Sequence, residues 1–140
     1  MRRKLAPSAV ALALALAGVP ALADDIHGAD RILCSVTSIL HCNEDSGCSD
    51  EIPANINVPQ FLEVDLVGKK VQSTKASGEN RSSPIDVRRE AGLVIIQGFE
   101  NGRAFSFLIS EKTGRSSIAV AREGLVVSVF GACTPIAAAK

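Results

Sequence analysis

From residue 84 onward, short apolar runs alternate with polar turns that each close on a glycine. Gly92, Gly102, Gly114 and Gly124 end "REAG", "FENG", "EKTG" and "AREG", at spacings of 10, 12 and 10 residues. Between them lie "LVIIQG", "RAFSFLIS", "SSIAVA" and "LVVSVFGA", short, partly alternating and rich in β-branched residues. Strands recurring every 8–12 residues or so, with glycine turns between them, describe an antiparallel all-β sandwich or barrel. No stretch keeps a helical period long enough to compete.

The stretch "IIQGFENGRAFSF" carries the strongest local signal. Asn101-Gly102 suits a two-residue hairpin turn, because both central positions need positive φ and these residues tolerate it. With that pair at the tip, Glu100 opposes Arg103, Gly98 opposes Phe105, Ile96 opposes Phe107 and Val94 opposes Ile109. Alternate pairs share a face. Val94, Ile96, Phe105, Phe107 and Ile109 form the core face, with Gly98 leaving room beneath Phe105. Glu100 and Arg103 stand at its rim as an exposed ion pair, an arrangement worth about 0–1 kcal/mol.

Upstream the pattern is less regular. "FLEVDLVGKKVQS" reads as two strands about Gly68, and "SPIDVRRE" as another. "KASGENRSSP" reads as a polar loop, "EIPANINVPQ" as an irregular connection and "TPIAAAK" as a loose tail. In "RILCSVTSILHC", Ile32, Leu33, Val36, Ile39 and Leu40 fit a helix, whereas Ile32, Cys34, Val36, Leu40 and Cys42 fit a strand. The β-branched content favours the strand. About eight strands result.

The first residues change the picture of where the fold begins. "MRRKLAPSAVALALALAGVPALADD" has a basic start, a short apolar middle and small residues at its end, which describes a secretory signal peptide over residues 1–23, cleaved between Ala23 and Asp24. The apolar run is short of the roughly 20 residues a membrane span needs. Residues 24–140 then form one β domain, exported to the periplasm or secreted, with no transmembrane segment. The chain holds 15 basic and 15 acidic residues; losing Arg2, Arg3 and Lys4 leaves 12 against 15, a net −3. Nothing in that balance calls for nucleic acid as a partner.

Cys34, Cys42, Cys48 and Cys133 all follow the leader, and an even count in a small exported chain points to two disulfides. Cys34 and Cys42 are separated by about 26 Å along a strand or 12 Å along a helix, too far for the roughly 7 Å a disulfide allows. Cys42 and Cys48 bracket the turn-rich "NEDSG", which leaves Cys34 to reach Cys133 and join the first strand to the last. Cys34–Cys48 with Cys42–Cys133 stays open. Zinc at His41, Cys42 and Cys48 lacks paired spacing, and "NEDSGCSDE" lacks the closing glutamate of a calcium loop.

No nucleophile–base arrangement, G-x-S-x-G, phosphate loop or H-E-x-x-H is present, so no catalytic residue, metal or cofactor is assigned. Tyrosine and tryptophan are absent. The expectation is a non-catalytic module that binds a small apolar ligand or an envelope protein. An interior filled by Phe105, Phe107 and Phe130 would leave no room for the ligand. Two alternatives stand beside it. A small hydrolase-type enzyme would draw Glu63, Asp65 and Arg81 together in a cleft. An inhibitor would act through "KASGENRSS" or "NEDSG".

The motifs "IPANINVPQFLEVDL", "GLVIIQGFENGRAFSFLI", "TGR" and "VFGACT" resemble those of a group of small exported bacterial proteins of unknown function. In plan the chain is similar to small secreted β-barrels in which a first-strand cysteine meets one near the C-terminus. The resemblance implies export, a β fold and a Cys34–Cys133 bond; the expected architecture is an antiparallel meander closing into a small calycin-like barrel, with a sandwich as the alternative. The resemblance transfers no catalytic residue.

Overall fold

In the computed structural model, which describes residues 24–77 and 81–137, nine strands form one antiparallel sheet. They are β1 (Arg31–Asn43), β2 (Gly47–Glu51), β3 (Phe61–Asp65), β4 (Lys70–Ser73), β5 (Ser82–Glu90), β6 (Leu93–Glu100), β7 (Arg103–Ser110), β8 (Arg115–Arg122) and β9 (Leu125–Pro135). Strands β3 to β9 follow one another as neighbours, and β9 returns to pair with β1 from Ile32 to Asn43. The chain is therefore a closed eight-stranded barrel, not a sandwich, with β2 as an added strand. The expected leader lies outside the described residues. Among those described, no helix is long and apolar enough to cross a membrane.

Strand β1 serves three neighbours because its free edge is divided. Arg31–Ser35 pairs with β3, and Ile39–Asn43 pairs with β2. Between these segments the β1–β9 register shifts, with Val36 opposite Gly131 and Ser38 opposite Phe130, which leaves Thr37 as the extra residue of a bulge. One extra residue reverses the parity of everything after it. Ile32, Cys34 and Val36 point inward before the bulge and Ile39 after it, all buried. Leu40, expected on the same face as Val36, is turned outward and 36% exposed. The apparent helical period in this segment is a strand period with one residue inserted.

The hairpin register of β6 and β7 runs from Glu100–Arg103 to Val94–Ile109, as the Asn101-Gly102 turn requires. Asn101 and Gly102 have φ of 48° and 76°. Val94, Ile96, Phe107 and Ile109 are buried; Phe105 is partly so and packs against them. Phe130, one of the aromatics that could have filled the interior, lies on the outer face of β9 at 47% exposed. The expected tail is also shorter: Thr134 and Pro135 belong to β9, and the Ile136 N–H donates to the Arg31 carbonyl (3.0 Å).

Both disulfides join residues directly opposite one another in the sheet, Cys34–Cys133 across β1 and β9 and Cys42–Cys48 across β1 and β2. They close separations of 99 and 6 residues. In the chain-entropy model those loops are worth about 4.7 and about 2 kcal/mol. Two disulfides suit an oxidising compartment.

The turn between β5 and β6 is also a two-residue loop, of Ala91 and Gly92, with φ of 51° and 77°. Alanine in that conformation brings its Cβ against the following carbonyl, a cost of about 1 kcal/mol that asparagine largely escapes. Ala91→Asn is expected to raise unfolding stability by about 1 kcal/mol, measured from the urea midpoint at unchanged slope. An unchanged or lower midpoint would contradict the turn geometry.

Candidate functional site

The two ends of the barrel are built differently. At one end the N-terminal segment folds across the opening. Ile26 is fully buried there, its N–H donating to the Glu111 carbonyl (2.8 Å), and the Thr134 hydroxyl donates to the Asp24 carboxylate (2.5 Å). Glu111, which the sequence places in a polar turn, is 6% exposed. The Arg89 guanidinium donates to its carboxylate (2.5 Å) and to the Ala29 carbonyl, and His27 lies 3.5 Å away. Arg89 and His27 thus belong to this stopper. Beneath it Ile26, Ile32, Val64, Val94 and Ile109 pack with no exposed surface.

The opposite half is hollow. A cavity of about 410 Å³ opens at this end, floored by Val36, Val71, Phe107, Ile118 and Val129. Protein interiors rarely leave voids much larger than a water molecule, whereas ligand cavities span about 300–1,000 Å³. Small inward residues make the space. Gly98 faces Phe105 across β6 and β7, and Ser73, Ser83, Val120 and Val127 take inward positions nearby. Ser73 is held by the Arg81 N–H, which donates to its hydroxyl (2.9 Å).

The mouth is framed by two turns, the end of β1 and a crossing segment. Glu100 and Arg103 flank the β6–β7 turn, Arg122 and Leu125 flank the β8–β9 turn, and His41 comes from the end of β1. Residues Ile56 to Pro59, part of the irregular connection, cross one side of the opening. This segment is tied down by the Arg81 guanidinium on the Asn57 carbonyl (3.2 Å) and by Gln60, whose side chain donates to the Val36 carbonyl (2.7 Å). The two prolines of the whole connection, Pro53 and Pro59, keep it out of the sheet.

The Glu100–Arg103 expectation needs correction. The two residues are opposite in register, yet they form no ion pair, and neither Arg103 nor Arg122 makes a side-chain hydrogen bond or ion pair with another described residue. Both arginines line the cavity instead. The parity of β7 puts Arg103 on the inner face with Phe105 and Phe107. In β8, Ser116, Ile118, Val120 and Arg122 alternate in the same way. That second alternation, readable in "SSIAVAR", is the signal that would have marked Arg122. His41 was hidden by the bulge, which must be counted before its side can be assigned.

The residues of the enzyme alternative are not gathered. Glu63 pairs with Arg31, and the Asp65 carboxylate accepts the Gly68 N–H (2.6 Å) in the turn after β3. Arg81 stands at the mouth. "NEDSG" is the tight hairpin between β1 and β2, its Asn43 side chain accepting the Ser46 N–H (2.8 Å). Of "KASGENRSS", Lys75–Ser77 form a single 3-10 turn, and residues 78–80 lie outside the described set. Compared with known proteins, the chain matches no family model, no curated protein and no solved structure.

Gly98 offers a test of the hollow. A Cβ built there would stand 2.2 Å from the Phe105 Cζ, so the ring must move, and the open space lies beside it. Gly98→Ala should therefore cost only about 1 kcal/mol, the low end of what overpacking costs in a filled core, and Phe105→Leu should relieve it in a double-mutant cycle. A loss above about 3 kcal/mol by urea denaturation would mean the interior has no room to give.

Proposed function

We propose that this protein is an exported, non-catalytic carrier that holds a small amphiphile, with its apolar tail in the barrel and its acidic head at the mouth. The observation that carries the reading is the pairing of an apolar cavity with arginines at its opening. Val36, Val71, Phe105, Phe107, Ile118, Val127 and Val129 offer hydrocarbon and no charge, so an apolar chain gains roughly 0.8 kcal/mol for each buried methylene. Arg103 and Arg122 supply two guanidinium groups uncommitted to other described side chains, against the single carboxylate of Glu100. Arginine pairs carboxylates and phosphates through two parallel hydrogen bonds, which favours a planar acidic head over an alcohol.

The other elements of the reading agree with it. The signal-peptide pattern and the two disulfides support export to an oxidising compartment. The stopper at the far end supports one-ended entry, head outermost.

The test is calorimetric titration of the oxidised protein with decanoate and with decanol. Both should bind saturably, decanoate at least about tenfold more tightly, as a charged hydrogen bond predicts. Val127→Phe, which fills the cavity, should weaken both. Replacing Arg103 and Arg122 together by glutamine should abolish only the decanoate advantage. Failure of both compounds to bind would reject the carrier. Equal binding would leave the carrier and reject the acidic head.

A further inference from the structure

Strand register draws the polar side chains at the cavity rim into one row. With Ile85 opposite Gly98, the β5–β6 ladder carried one inward pair further sets Ser83 across from Glu100. Glu100 is opposite Arg103. With Ala104 opposite Ala121, the next pair of β7 and β8 is Arg103 and Arg122. Ser83, Glu100, Arg103 and Arg122 therefore stand on successive strands, each about 4.8 Å from the next, and all of them line the cavity.

The row is unfavourable as it stands. Arg103 and Arg122 are like charges directly opposite each other, which destabilises a strand pair. Glu100 has a guanidinium across from it and forms no ion pair with another described residue. Ser83 is only 4% exposed, and its hydroxyl makes no hydrogen bond with another described residue, whereas buried hydroxyls are normally bonded. An acid lying between the guanidiniums relieves the first of these. It leaves Ser83 unbonded and adds a second carboxylate beside Glu100, where like charges repel.

The group that completes the row must donate to Glu100 and accept from Ser83. A hydroxyl does both, a carbonyl only accepts and an ammonium only donates. Charge makes the same choice. The guanidiniums of Arg103 and Arg122 against the carboxylate of Glu100 leave a single positive charge, which the acid of the ligand cancels and an ammonium would restore. Resting on the carrier reading, we infer that the amphiphile is a hydroxy acid, with its carboxylate between Arg103 and Arg122 and its hydroxyl between Glu100 and Ser83. The two groups sit about one strand spacing apart, roughly 4.8 Å, so the hydroxyl belongs on a carbon close to the acid, as in a 3-hydroxy acid. Glu100 is then the residue that sets specificity, repelling a plain acid and accepting a hydrogen bond from a hydroxylated one.

Calorimetric titration of the oxidised protein with decanoate, each enantiomer of 3-hydroxydecanoate and 10-hydroxydecanoate tests it. At least one 3-hydroxy enantiomer should bind about tenfold more tightly than decanoate, as a hydrogen bond to a charged group provides. The 10-hydroxy acid, which carries an unpartnered hydroxyl to the apolar floor, should bind less tightly than decanoate. Glu100→Gln should tighten decanoate and cut the 3-hydroxy advantage at least about threefold, and Ser83→Ala should also reduce that advantage. If decanoate binds and neither 3-hydroxy enantiomer exceeds it, the hydroxy acid is overturned and the carrier stands. An advantage undiminished in both variants, or shared by 10-hydroxydecanoate, would overturn it as well. Binding of none of these compounds would remove the carrier and the hydroxy acid together.

Discussion

Everything in this structure depends on β9 returning to β1. That pairing removes the open edges a meander of strands would otherwise present for aggregation, and it decides which side of every strand is inside. It is also the contact with the largest loop to close, joining the two ends of the fold, so it pays the greatest entropy of ordering. The Cys34–Cys133 bond lies within this pairing, between residues directly opposite each other. It removes from the unfolded chain the freedom that closure would have to overcome.

Closure creates an interior, and the residues inside treat its two halves differently. Toward the stopper, isoleucine and valine fill the space and Ile26 completes it from outside the sheet. Toward the mouth, glycine, serine and valine fall short of filling it, and the chain has no tyrosine or tryptophan with which to do so. The hollow is thus a property of side-chain volume rather than of backbone shape. The same strands that end in hydrocarbon halfway down the barrel end in arginine at the rim. A gradient from packed core through apolar cavity to cationic mouth is laid down along single strands such as β7 and β8.

Much of this was legible in the residues. The glycine beat, the Asn101-Gly102 turn and the β-branched runs determine strand number, direction and the register of β6 against β7, because turn geometry and side-chain period are both local properties. The bulge at Thr37 was not legible, since one inserted residue looks like a change of period until the partner strand is known. It moved Leu40 outward and put His41 at the mouth. Phe130 could not be assigned a side until its parity in β9 was known, which places it on the outer face. The ion pair expected of Glu100 and Arg103 followed correctly from register. It failed because their inward side chains face a cavity whose existence depends on distant strands. Strand β2 was missed because "GCSDE" has no apolar alternation, its pairing being held by the Cys42–Cys48 bond and the backbone ladder.

The central claim is that the closed barrel keeps an accessible apolar hollow at one end. Methyl-detected NMR of the oxidised protein during titration with decanoate addresses it most directly. The account predicts that the methyl groups of Val36, Val71, Ile118, Val127 and Val129 shift together and saturate, while those of Ile26, Val64 and the outward Val126 stay in place. Shifts confined to Val126 and Leu108, or none at all, would contradict it.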